Sequence, residues 1–194
     1  MTRRNERHMS MDDPTLSIRF ADLEDINTIG YLAQQVWPKA YKDILAPAQL
    51  AYMLNLFYSP ASLRQQIVAE KHSFLVAEEE DEPIGFASWS KVGGGRADGA
   101  ARGARVEAGV YKLHKLYVLP GRQGKGLGKA ILGFIVEDIV PQGARALQLN
   151  VNRHNKAKQF YEKMGFAVIR EEDVDIGQNY WMNDYVMEMK LGVR

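Results

Sequence analysis

The chain has 194 residues, of which 46% are hydrophobic and 25% charged, a size and balance that suit one domain with a sizeable core. A formal net charge of +1 gives no overall pull toward nucleic acid or an anionic membrane, and the absence of cysteine excludes disulfides, thiolate metal sites and a cysteine nucleophile. No run approaches the ~18–20 apolar residues of a membrane span, and residues 1–14 are polar without the apolar core of a secretory signal.

A flexible tail over 1–14, a single domain over 15–194 and a cytoplasmic location are therefore expected. Ser17 to Phe20 alternates polar and apolar residues, as a short strand does. Asp22 is placed to cap a helix carrying Ile26, Ile29, Leu32, Ala33 and Val36 on one face, which Pro38 is expected to stop. Pro47 and the spacing of Leu50, Met53, Leu54 and Phe57 predict a second helix. Ser59-Pro60 predicts the start of a third, running to about Glu70.

A strand over 73–77, a polar turn over 78–83 and a returning strand over 84–89 form an expected hairpin. Residues 91–109 are rich in Gly, Ala and Arg and read as a mobile loop or a long hairpin tip. A strand follows over 111–119, closed by Pro120. Residues 121–128 are a glycine-rich turn, and 129–140 have helical spacing. Residues 146–151 are the next strand. Asn155 begins a helix bearing Ala157, Phe160, Tyr161 and Met164, with Gly165 just past its end. Residues 166–174 and 184–191 are the last strands. The order gives an α/β (α+β) class, with a mixed, mostly antiparallel central sheet of about seven strands flanked by about four to five helices.

The segment Leu116-Tyr117-Val118-Leu119-Pro120-Gly121-Arg122-Gln123-Gly124-Lys125-Gly126-Leu127-Gly128-Lys129 joins a strand, a glycine turn and a helix start. Backbone N–H groups in such a turn, with the partial positive charge of a helix N-terminus, suit phosphate oxygens. Arg122, Lys125 and Lys129 can add charge-assisted contacts. The P-loop spacing fails, because Leu127 and Gly128 stand where Lys and Ser or Thr are required. The dinucleotide spacing G-x-G-x-x-G fails at Lys129.

Gln123-x-x-Gly126-x-Gly128 resembles the pyrophosphate loop of GNAT acetyltransferases. Asn155-x-x-Ala157-x-x-Phe160-Tyr161-x-x-x-Gly165-Phe166 resembles their second signature, in the right order downstream. The resemblance covers roughly 74–190 and implies acetyl-CoA as cosubstrate, with no metal. It implies that the central strands splay, and that the backbone of Leu116, Tyr117 and Val118 pairs with the pantetheine arm. Gln123, Gly124, Gly126, Leu127 and Gly128 would then take the pyrophosphate, with Asn155, Ala157 and Phe160 further along the cofactor. It places Tyr161 near the thioester sulfur as the acid; the same residue also fits an apolar helix stripe. Related enzymes carry a histidine or glutamate on this strand, which makes His114 the candidate base, with ordered water as the alternative base and a surface or sheet-packing place as the other reading of the histidine.

The expected partner is a small-molecule amine, with no nucleic acid and no membrane; a homodimer is left open. Trp37, Tyr41 and Tyr52 are candidates to line the acceptor pocket, Tyr52 also fitting the core. The acidic run over 171–175 can attract a cation or be a solvated turn. The closing residues 184–189 resemble the end of PaiA-like polyamine acetyltransferases. A silent CoA sensor, or transfer to a protein N-terminus or lysine, are the alternatives that the same resemblance allows.

Overall fold

Residues 16–93 and 108–192 are described by the computed structural model. The expected tail and most of the glycine-rich loop over 91–109 lie outside them. The described residues hold seven strands: β1 Leu16–Phe20, β2 Ser73–Glu79, β3 Glu82–Lys91, β4 Val110–Val118, β5 Ala146–Asn152, β6 Ala167–Gly177 and β7 Tyr180–Lys190. Five α-helices accompany them: α1 Ile26–Ala40, α2 Pro47–Tyr58, α3 Pro60–Val68, α4 Leu127–Ile139 and α5 Ala157–Lys163. The sheet order is β1-β2-β3-β4-β5-β7-β6. The β4–β5 pair is parallel, whereas β1–β2, β2–β3, β5–β7 and β6–β7 are antiparallel. This is the mixed, mostly antiparallel architecture that the element order implies. Of the described residues, those before Ser90 together with Lys115–Val136 form one unit; Ser90–His114 and those from Glu137 onward form the other.

In the first unit Asp22 accepts the Glu24 N–H at 2.8 Å, and Asp25 accepts the Asp22 N–H at 3.0 Å. This reciprocal capping box starts a single 3₁₀ turn that feeds α1. Ile26, Ile29, Leu32, Ala33 and Val36 are all buried, as their spacing requires. Pro38 does not stop the helix: α1 runs to Ala40 with the proline in its last turn. A proline there forfeits one hydrogen bond, and the Tyr41 N–H still closes the turn on the Trp37 carbonyl at 3.0 Å. Ser59 caps α3 as expected, and the helix ends at Val68 rather than near Glu70. Arg19 reaches both Asp25 and Glu78 at 2.8 Å, tying β1 to the first turn and to β2.

The β2–β3 turn is shorter than its polar sequence suggests. Only Glu80 and Asp81 lie between the strands, at φ 53° and 65°. Pro83 is tolerated within β3 because the register shifts between Ala77 and Glu78, opposite it.

In the second unit the parallel register runs from Val110 opposite Ala146 to Leu113 opposite Leu149. β6 and β7 form one long hairpin around Gln178 and Asn179, at φ 53° and 60°. Both strands are therefore longer than expected, and the acidic run Glu171–Asp175 is strand, not turn. Glu171 and Asp173 lie 3.5 and 2.8 Å from Arg153, so that arginine offsets the charge and permits the pairing. The core of this unit includes Leu147, Leu149, Val151, Phe166, Val186 and Met187.

Candidate active site

The glycine turn is built by backbone demand. Gly121, Gly124 and Gly126 sit at φ 91°, 86° and 81°. A Cβ added at any of them would meet nothing within 4 Å, so the requirement for glycine is conformational rather than steric. The Gln123 side chain donates to the Val118 carbonyl at 3.1 Å and fastens the turn to the end of β4. The Arg122 N–H closes on the Leu119 carbonyl at 3.0 Å, and the Leu119 N–H on the Ile84 carbonyl at 2.8 Å. The Ala130 N–H takes the Gly126 carbonyl at 3.0 Å, so α4 begins immediately after the turn. Its first amides, at Leu127, Gly128 and Lys129, have no carbonyl to bond within the helix and present donors at the positive end of the dipole. Leu127 is buried and anchors this end, while Gly124, Lys125, Gly126 and Lys129 are exposed. Arg122 is ion-paired to Glu79, with Lys125 at 4.0 Å from the same carboxylate.

On β4, Val118 is buried and Leu116 and Tyr117 are half-buried. A Cβ on Gly85 would stand 2.9 Å from the Tyr117 carbonyl oxygen, so β3 approaches this stretch of β4 as closely as only glycine allows. The Tyr117 hydroxyl bonds that of Tyr41 at 3.1 Å, and its ring lies 6.0 Å from Trp37 and 5.5 Å from Phe86. Trp37 in turn donates to the buried Tyr58 hydroxyl at 3.2 Å. Burial drives the Tyr58 phenol well above its ordinary range and keeps it neutral. Trp37 and Tyr41 are thus gathered in one aromatic cluster, with Tyr52 half-buried on α2. Lys115, buried beside it, donates to Gln66 at 2.5 Å, over the Tyr58 and Phe74 rings.

In the second unit His114 and Ser90 meet, His114 Nε2 lying 2.8 Å from Ser90 Oγ. Two strands over, Asp184 is buried next to Asn150, and its carboxyl is pushed up to about 6. Burial is the main cause, and Asn150 and Lys112 work against it. Asn150 also donates to Glu172 at 2.9 Å. The sequence reading missed Ser90 and Asp184. Ser90 belongs to no motif, Asp184 only opens the closing stretch 184–189, and strand register brings both to chemistry-bearing neighbours.

Tyr161 owes its placement to the way α5 ends. The Phe166 N–H bonds the Tyr161 carbonyl and the Gly165 N–H that of Glu162, both at 3.0 Å, with Gly165 at φ 94°. This is a Schellman stop, and the apolar contact that accompanies it is Tyr161 on Phe166, ring centroids 5.7 Å apart. Phe160 packs edge-on to the same ring at 5.2 Å. The spacing Phe160-Tyr161-x-x-x-Gly165-Phe166 is thus a device for clamping one tyrosine ring. Asn155 accepts the Ala157 N–H at 2.9 Å and serves the first turn of α5. Asn155, Ala157 and Phe160 are half-buried, and Tyr161 is buried.

A strand that runs through a glycine turn into a helix N-terminus is an arrangement suited to phosphate oxygens. The family described as acetyltransferase (GNAT) domain matches residues 42–189. The chain belongs to this family and is an N-acyltransferase. It is 26% identical to an uncharacterised N-acetyltransferase of Mycobacterium bovis, over 87% of this chain and 99% of that one. It is also 26% identical to the spermidine N(1)-acetyltransferase of Thermoplasma acidophilum, over 91% of this chain and 98% of that one. Among solved structures it resembles the PaiA N-acetyltransferase of Thermoplasma acidophilum in complex with coenzyme A. The TM-score is 0.71 at 26% identity, over 91% of this chain and 99% of that one. Among the described residues no helix is long and apolar enough to cross a membrane.

Proposed function

We propose that the protein transfers an acetyl group from acetyl-CoA directly to a primary amine while both are bound. The observation that carries this is the glycine turn: three residues at positive φ, strapped by Gln123 to the end of β4, running straight into the amides of α4. In this reading those amides, with Arg122, Lys125 and Lys129, hold the pyrophosphate. The backbone of Leu116, Tyr117 and Val118 pairs with the pantetheine, and Asn155, Ala157 and Phe160 complete the cofactor contacts.

The chemistry follows from proton inventory. An amine of pKa near ~10 is an ammonium at neutral pH and must lose a proton before its lone pair can attack. His114 takes that proton. The nitrogen then adds to the thioester carbonyl carbon, and the tetrahedral oxyanion collapses with cleavage of the carbon–sulfur bond while the now cationic nitrogen releases its second proton to solvent, leaving the neutral amide. Tyr161, as a phenol O–H donor, protonates the departing thiolate. No covalent acyl-enzyme is required.

The acceptor we propose is a small polyamine-type amine. Similarity along nearly the whole chain to a spermidine N(1)-acetyltransferase supports this. So does the Trp37–Tyr41–Tyr117 cluster, since aromatic faces attract organic ammonium groups. The test is acetyl-CoA turnover against polyamines, amino acids, aminoglycosides and lysine peptides, with released CoA read by a thiol reagent. The cysteine-free chain adds no background thiol. Turnover with polyamines and not with lysine peptides is expected. Acetyl-CoA binding without turnover on any amine would support a sensor instead, and no binding at all would end the proposal.

A further inference from the structure

We propose that Ser90 is a positioning residue for His114: its hydroxyl holds the imidazole at Nε2 and accepts the Nε2–H bond once the ring is charged. This rests on the reading of His114 as the base that takes the amine proton. Ser90 is the penultimate residue of β3 and His114 lies within β4, 24 positions along the chain, so the 2.8 Å contact is a tertiary one. It is short enough for a well-formed hydrogen bond.

A serine suits this place because a hydroxyl can both donate and accept. A neutral imidazole offers Nε2 either as acceptor or as N–H donor, and an imidazolium offers only N–H. The Ser90 hydroxyl satisfies each form by rotating its own hydrogen, so neither side chain has to move as the base works. When the ring takes a proton from the amine nitrogen it gains one positive charge and Ser90 stays neutral. The Nε2–H to Oγ bond is then charge-assisted, and such bonds are roughly twice as strong as neutral ones. Ser90 therefore favours the charged ring and makes His114 a better base.

The neighbouring charges do not substitute for it. On β4, Lys112 precedes His114 on the same strand face and opposes a second positive charge there. Lys115 follows, with its ammonium on Gln66. Lys91 ends β3. Beyond β4, Asp184 on β7, Glu172 on β6 and Arg153 after β5 share a network with Asn150 and Lys112. Asp184 titrates near neutrality itself, so its own ionisation must be separated from that of His114.

The experiment is kcat/KM against pH for the parent and for Ser90→Ala, Ser90→Thr, His114→Ala and the Ser90→Ala/His114→Ala double variant. The profiles are repeated in an Asp184→Asn background to remove that group. Ser90→Ala is expected to lower kcat/KM at pH 7 by roughly three- to tenfold. It should also move the acid limb down by about half a pH unit, with KM for acetyl-CoA unchanged. Thr should restore both, and Ser90→Ala should add nothing once His114 is gone. If Ser90→Ala does not fold, Ser90→Cys, similar in size and a weaker partner, should shift the limb the same way. A slow Ser90→Ala enzyme with an unmoved limb, or a Thr variant that fails to rescue, would overturn the positioning role. So would an acetyl group found on Ser90 by intact-protein mass after acetyl-CoA alone, which would make Ser90 a nucleophile. A normal rate and profile in His114→Ala would overturn the base reading and this inference with it. A slow His114→Ala enzyme beside a normal Ser90→Ala enzyme would overturn this inference alone.

Discussion

Gly126→Ala separates the conformational account of the glycine turn from a steric one. Gly126 sits at φ 81°, and an added methyl would find nothing within 4 Å. No clash is introduced, so the whole penalty is that of an L-residue in the left-handed region, about 1–2 kcal/mol. If the turn keeps its shape, the penalty falls on folding and lowers Tm by roughly 2–8 °C for a chain of this size. If the turn relaxes, the amides proposed to hold the pyrophosphate swing away and acetyl-CoA affinity falls by up to roughly 5- to 30-fold. The control is the same substitution at Gly133, inside α4, where a Cβ also meets nothing within 4 Å but the backbone is helical. Gly133→Ala should raise stability by about 0.5–1 kcal/mol and leave affinity alone. Thermal unfolding and calorimetric titration with CoA measure both quantities. A Gly126→Ala protein with the parent's Tm and affinity would refute the argument, as would a Gly133→Ala protein that loses affinity equally.

Tyr161→Phe keeps both ring contacts of the α5 clamp while turnover should fall at least about tenfold; an unchanged kcat would remove Tyr161 as the acid. Gly85→Ala drives a Cβ to 2.9 Å from the Tyr117 carbonyl, and should cost about 1–3 kcal/mol in denaturant unfolding and raise KM for acetyl-CoA. Parent-like unfolding would mean that β3 and β4 part without penalty. Asp184 is pushed up to about 6 from an ordinary 3.8, so the folded state holds its proton more tightly than the unfolded chain. Its contribution to stability is full below about 4 and lost as pH rises through about 6. Asp184→Asn should therefore stabilise the protein by roughly 1–3 kcal/mol at pH 8 and little at pH 4, and an equal effect at both would contradict the sign.

Local chemistry was legible where its cause is local. The cap at Asp22, the apolar face of α1, the Ser59-Pro60 helix start and the glycine turn all act within a few residues, and each formed where the sequence placed it. The strand boundaries that slipped at the two hairpins have a common cause. The β2–β3 and β6–β7 turns place Glu80, Asp81, Gln178 and Asn179 at positive φ, without the Asn-Gly or Asp-Gly pairs that advertise a two-residue hairpin. Sheet pairing holds those residues there, and pairing is not written in the turn itself.

By itself the sequence determined the element order, the glycine turn before α4 and the helix stop that clamps Tyr161, because each is a short-range pattern of φ, capping and periodicity. Only the tertiary structure decided that Ser90 meets His114, that Gly85 must be glycine to pass the Tyr117 carbonyl, and that Asp184 is buried beside Asn150. Those contacts join strands far apart in the chain, and their partners are set by register, which no local pattern encodes.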